Sequence, residues 1–178
     1  TSGKVDFSGG MDLSTLEALK RNSGSDPASK IFDYIMQAHG LLRKIELGRI
    51  DDTSKSKPVA FAGSGICAGI GTEIGLACHR RFLSSSKNSK IGLPEILVGL
   101  FPGLGGTTRV PRMMGLMGAS SVLLEGKLFT SDKAKSIGLI DEVVSEDELI
   151  QKAKDWVLSA SPQELVKPWD QKGFKFPG

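Results

Sequence analysis

Two glutamates and two glycine-rich turns are the residues of this chain best suited to chemistry. Glu73 comes directly after Gly69-Ile70-Gly71-Thr72, where a helix is expected to start, and Glu95 follows Pro94 in a loop bounded by glycines. Glycine turns ahead of helices expose backbone N–H groups, and a helix N-terminus attracts developing negative charge. Such turns stand at 8–12 and at 69–72. Two N–H donors from separate loops are what an oxyanion hole needs, because the charged oxygen must be held from two directions. Carboxylates beside such donors suit general acid–base work. A plainer reading competes: Glu73 favours the dipole of its own helix, and Glu95 is a surface residue. Spacing alone leaves both open.

Other chemistry fits these residues less well. Val59-Ala60-Phe61-Ala62 running into Gly63-Ser64-Gly65 invites a dinucleotide-binding turn, but the third glycine falls at Gly69, one residue late. No acidic residue follows about twenty positions on, where a ribose would need it. Gly126-Lys127 precedes Leu128 and lacks the upstream glycine of a phosphate-binding loop. Cys67 and Cys78 make no disulfide framework and show no zinc spacing, so they read as small core residues in a reducing compartment. No metal site is expected. His39, on a predicted amphipathic helix, and His79, at a helix end, read as structural.

The elements that must position the glutamates alternate between strand and helix. A strand end at 4–7 feeds the first glycine turn, and a polar segment with Asn22, Gly24 and Pro27 follows. Ile31, Ile35, Leu42 and Ile45 recur along one side of a helix over 28–47. A polar loop covers 51–57. Val59–Ala62 reads as a strand buried on both faces, a helix starts near Thr72, and 81–83 is the next strand. Helices are expected at 106–114, 116–125, 131–137 and 147–159, with a strand at 139–144. This alternation makes the fold class α/β. The tail 161–178, with Pro162, Pro168, Gly173 and Pro177, reads as a linker leaving the domain.

Composition bounds the function. The 178 residues carry 23 basic and 20 acidic side chains, a net charge of +3, with 39% hydrophobic residues and a mean hydropathy of −0.07. That is a globular balance, not a disordered one. The small, dispersed charge excludes a nucleic-acid partner. No run approaches the roughly 20 apolar residues of a membrane span. Glycine is the outlier: 22 of 178 residues, well above the ordinary ~7%.

At its glycine motifs the chain resembles the enoyl-CoA hydratase (crotonase) superfamily. Phe7-Ser8-Gly9-Gly10-Met11-Asp12-Leu13 is similar to that family's first oxyanion segment, and Lys57-Pro58-Val59 through Gly69-Ile70-Gly71-Thr72-Glu73 to its second. Gly92-Leu93-Pro94-Glu95, Phe101-Pro102-Gly103-Leu104-Gly105-Gly106-Thr107 and the run from Ala134 to Val143 resemble downstream signatures. The resemblance covers most of 1–160. It implies a crotonase-like ββα spiral, with the family's N-terminal part, several dozen residues ahead of Thr1, missing. The tail Lys167-Pro168-Trp169-Asp170-Gln171-Lys172-Gly173-Phe174 resembles the segment that joins a hydratase half to a 3-hydroxyacyl-CoA dehydrogenase half. The expected division is thus a partial hydratase core at 1–160 and, at 161–178, a linker towards an absent dehydrogenase, with no NAD site.

The resemblance further implies hydration of trans-2-enoyl-CoA to 3-hydroxyacyl-CoA in fatty-acid β-oxidation. Glu73 and Glu95 match the family's catalytic carboxylates, with either able to serve as acid or base. The backbone N–H groups of Met11 and Ile70 would form the oxyanion hole; the family usually has glycine where Ile70 stands. The N–H of Gly103 would hold the water, and Asp12 and Leu13 lie where the family's loop passes the CoA adenine. The substrate arrives as a coenzyme A thioester, with no permanently bound cofactor. A Δ3-Δ2-enoyl-CoA isomerase and a non-catalytic CoA-binding fragment are the alternatives. Homo-oligomers and a complex with a thiolase are the implied assemblies. Bacterial cytoplasm is the expected compartment, with the mitochondrial matrix second.

Overall fold

The computed structural model describes residues 3–22, 24–49, 51 and 55–178. Along the chain come α1 (Leu13–Arg21), α2 (Pro27–Leu47), β1 (Ala60–Gly63), β2 (Ile66–Ala68), α3 (Ile70–Ala77), β3 (Arg80–Ser84), β4 (Lys90–Gly92), α4 (Gly106–Leu123), β5 (Leu128–Thr130), α5 (Ser131–Ser136), β6 (Glu142–Val144) and α6 (Leu149–Ser159). Strands β1, β3 and β6 form a parallel sheet in the order β1-β3-β6, and β2, β4 and β5 form a second sheet in which β5 runs antiparallel to β4. The chain visits one sheet, then the other, then makes a helix. It does so twice in succession, as β1-β2-α3 and β3-β4-α4.

The crossing from β1 to β2 takes only two residues and is a sharp corner. Gly65, at φ +60°, makes it, and a Cβ there would stand 2.4 Å from the Val5 carbonyl oxygen. Only glycine permits both the left-handed backbone and that approach. Phe61, Leu76, Leu83, Ile91, Leu93, Val110 and Leu139 close the core beneath the two sheets and α3. The Phe7 ring meets the edge of Phe61, with centroids 4.6 Å apart, and pins the first glycine segment to this core.

The helices expected at 28–47, 131–137 and 147–159 appear as α2, α5 and α6. Gly115, at φ 76° and ψ 169°, breaks α4 where the two helices expected at 106–114 and 116–125 would meet. Elements outside the expectation are α1 and the short strands β2, β4 and β5. Asp12 starts α1 by accepting the Ser14 N–H at 2.9 Å, and α1 packs on α2. Three-residue strands carry too little alternation to stand out from glycine loops. The strand end expected at 4–7 is instead a single bridge between Ser8 and Cys67. The strand expected at 139–144 shrinks to its last three residues, because Leu139 and Ile140 turn into the core. Residues 52–54 of the expected loop at 51–57 lie outside the described residues.

The tail does not simply leave the body. Lys167 is 4% exposed, and Asp170 forms a bidentate pair with Arg43 on α2, at 2.9 and 2.7 Å.

Candidate active site

Helix α3 starts at Ile70 because Gly69, at φ 56° and ψ −125°, turns the chain sharply out of β2. Thr72 Oγ1, fully buried, sits 2.7 Å from Cys67 O and 2.8 Å from Gly92 O, and so ties the helix start to β2 and β4. One residue on, Glu73 points inward and is 2% exposed. Its Oε1 accepts two backbone N–H groups, from Leu104 and Gly106, each at 2.8 Å. Both lie where α4 begins, where amides have no partner within the helix and are free to bind an anion. Burial pushes the Glu73 carboxyl above the ordinary glutamate range, while those two amides, Arg109 and His39 pull it back.

Glu95 enters from the turn after β4. A Cβ on Gly69 would stand 3.3 Å from its Oε1, which places this carboxylate against the start of α3. Its Oε2 is buried and has no hydrogen-bond partner among the described residues. Burial raises its pKa, its own backbone N–H pulls it back, and the neighbouring Glu73 charge adds to the rise. The two carboxylates are therefore close enough to feel each other. A carboxyl oxygen shut away from donors holds its proton more readily than one bound by two amides.

The first glycine segment lies alongside. Phe7 and Ser8 donate to Ser64 O and Ile66 O at 3.0 and 2.9 Å, and Ala68 donates back to Ser8 O at 2.8 Å. Gly10 thereby comes beside Gly69: a Cβ on Gly69 would stand 3.5 Å from the Gly10 Cα. Close approach is possible because Gly71, the second residue of α3, has no side chain to strike Ser8. Among the described residues neither the Met11 nor the Ile70 N–H has a hydrogen-bond partner. The structure thus gathers both glycine turns, Glu73 and Glu95, which the sequence holds up to 87 positions apart (Ser8 to Glu95), at one place. Gly103 lies on the same loop as the Glu73 donors, and its carbonyl meets His39 Nε2 at 2.8 Å. Asp12 and Leu13 lie just past Met11; Asp12 caps α1, and Leu13 is 49% exposed.

Sequence reasoning missed the supports behind this site. His39 holds the Gly103 carbonyl, and Arg109 donates to Leu104 O at 3.1 Å and to Glu46 Oε1 at 3.0 Å. Glu46 and Arg109 are both buried. They stand 63 positions apart, and no local pattern marks a pair at that separation. An acidic residue in the last turn of α2, four residues after Leu42, was the one available signal. Among the described residues, no group of three or more His, Cys, Asp and Glu is placed to hold a metal ion, and no helix is long and apolar enough to cross a membrane.

The sequence profile of the enoyl-CoA hydratase/isomerase family matches residues 1–166. The chain belongs to the enoyl-CoA hydratase/isomerase family. A glyoxysomal fatty acid beta-oxidation multifunctional protein, MFP-a, from Cucumis sativus is 34% identical over 95% of this chain and 21% of its own length. A fatty acid oxidation complex subunit alpha from Shewanella loihica is 37% identical over 90% of this chain and 21% of its own length. The chain therefore spans about a fifth of the curated relatives it matches. The crystal structure of an enoyl-CoA hydratase from Thermoplasma volcanium superposes with a TM-score of 0.72 at 26% identity, covering 89% of this chain and 58% of that one. The fold is thus the expected crotonase-like one, represented by part of the domain. The family match runs to residue 166, six residues into the segment expected to be linker.

Proposed function

We propose that this chain carries the hydratase site of a fatty-acid oxidation enzyme and adds water across trans-2-enoyl-CoA, giving 3-hydroxyacyl-CoA. The observation that supports it most is the pairing of a buried Glu73 with a half-buried Glu95 beside the Met11 and Ile70 amides, which have no partner among the described residues. In this reading the Met11 and Ile70 N–H groups hold the thioester oxygen and draw electron density away from C3. Glu73, whose ionised form two amide donors favour, takes a proton from water, with the Gly103 N–H helping to place that water. The oxygen attacks C3, negative charge develops on the thioester oxygen, and Glu95 delivers its proton to C2. Asp12 and Leu13 would lie along the CoA adenine. Multifunctional relatives carry further domains, and we extend the reading to 161–178 as the joint towards one. The proposed setting is bacterial cytoplasm, in an oligomer or a thiolase-containing complex.

The test is the loss of the conjugated thioester absorbance of crotonyl-CoA, comparing the parent with Glu73→Gln and Glu95→Gln. Each variant is expected to turn over about 10²–10⁴-fold more slowly, with binding kept. Parental rates in either variant overturn the scheme. Offering a 3-enoyl-CoA separates the isomerase alternative, which would conjugate the double bond without adding water.

A further inference from the structure

We infer that Lys167 and Asp170 are positioning residues of the candidate site, two anchors of one strap that set the placement of the Glu73 carboxylate from opposite sides. The first anchor acts on the helix. Lys167 Nζ donates to the carbonyl oxygens of Leu76, at 3.2 Å, and Cys78, at the end of α3. These carbonyls have no further helical partner, and a buried cation satisfies them and the negative end of the helix together. Glu73 and Ile70 lie at the other end of that eight-residue helix. Lys167 therefore fixes the rod that carries both.

The second anchor acts on the loop that grips Glu73. Asp170 holds Arg43 through both guanidinium nitrogens, and Arg43 Nη1 also donates to Glu46 Oε2 at 2.7 Å. Glu46 Oε1 accepts from Arg109 Nε at 3.0 Å, Arg109 Nη1 donates to Leu104 O at 3.1 Å, and the Leu104 N–H donates to Glu73 Oε1 at 2.8 Å. Charges alternate along this row, from Asp170 through Arg43 and Glu46 to Arg109. An exposed ion pair on its own adds little. This one is bidentate and closes a row whose inner pair is buried, where an unmatched charge is costly. The arginine must also come close to the loop backbone. Gly105, at φ +105°, holds a backbone conformation that other residues rarely adopt, and a Cβ there would stand 2.2 Å from Arg109 Nη1. A tight turn, Pro168–Asp170, fixes the spacing between the two anchors.

With Glu73 taken as the general base proposed above, loosening the strap would weaken catalysis without touching the substrate. The test measures amide hydrogen exchange and the titration of the Glu73 side-chain carboxyl carbon on the full chain, for the parent, Asp170→Asn and Asp170→Glu. In Asp170→Asn the Leu104 and Gly106 amides are expected to exchange about tenfold faster. The Glu73 carboxyl should titrate at higher pH, because it loses donors to its ionised form. Amides of β3 should be unchanged, and Asp170→Glu should restore the parental pattern. Unchanged exchange at Leu104 and Gly106 overturns the inference, and so does equal acceleration throughout β3, which would mean a loss of global stability only. In the hydration assay Asp170→Asn should lower kcat with KM held. A parent inactive on crotonyl-CoA overturns the hydratase reading, while the exchange pattern still decides the strap.

Discussion

Glu73 is buried and Glu95 half-buried, and the protein satisfies them differently: Glu73 Oε1 has two amide donors, whereas Glu95 Oε2 has none among the described residues. Burial raises both above the ordinary glutamate value of 4.5. A raised folded-state pKa gives stability that is complete below the unfolded value and is lost as pH climbs through the folded one. As pH rises from 4 to neutral, Glu95 therefore costs the fold, because the unfolded chain releases this proton more readily than the folded one. Glu95→Gln is expected to unfold at higher urea than the parent at pH 7 and at the same urea at pH 4. An equal difference at the two pH values would show that charge burial is not the cause. Both residues were visible in the sequence as glutamates beside glycine turns. That they face inward, and not to solvent, was not, because the donors of Glu73 come from a loop about thirty residues further on.

Helix α3 and the first glycine segment show how an element can be defined by what it lacks. A Cβ on Gly71 would stand 2.6 Å from the Ser8 Cβ and 3.4 Å from Phe7 Cδ1. The helix start and residues 7–8 therefore touch only because position 71 is bare. Gly71→Ala would gain the ~1 kcal/mol that alanine holds over glycine inside a helix. Against that stands an overpacking cost of about 1–3 kcal/mol. Relief comes by pushing Ser8 outward, which separates the Met11 and Ile70 amides. Hydration of crotonyl-CoA by Gly71→Ala should fall about 10²-fold while the circular dichroism spectrum is kept. Parental activity would mean that the two amides are not used together. Helices α2, α5 and α6 could be anticipated from periodicity and breakers. Strands β2, β4 and β5 could not, since each exists as a three-residue ladder stabilised by a neighbour far along the chain.

The whole molecule is two small sheets crossed by helices and tied at the tail. The expected linker at 161–178 is partly a structural member, because Lys167 is inserted beneath α3. Burial, with Arg81 nearby, lowers the Lys167 pKa from 10.5 to about 8, against opposing pulls from Glu46 and Cys78. A depressed folded-state pKa in a cation gives stability that is complete above the unfolded value and is lost as pH falls through the folded one. Between pH 8 and pH 10.5 the parent should gain about 3 kcal/mol relative to Lys167→Met, read from paired urea melts. A flat difference across that window would show that the lysine stays solvated and the tail undocked.

Local order and composition were enough to determine that this is a globular α/β chain, that glycine turns stand at 8–12 and 69–72, and which glutamates could do chemistry. These follow from propensities, steric limits and charge, and each acts over a few residues. Only the tertiary structure decided that Glu73 is gripped by Leu104 and Gly106, that Gly10 lies against Gly69, and that Asp170 reaches the Arg43, Glu46 and Arg109 row. Those contacts join residues roughly 30 to 130 positions apart. Their partners are chosen by packing of the whole core, which leaves no periodic trace in the chain.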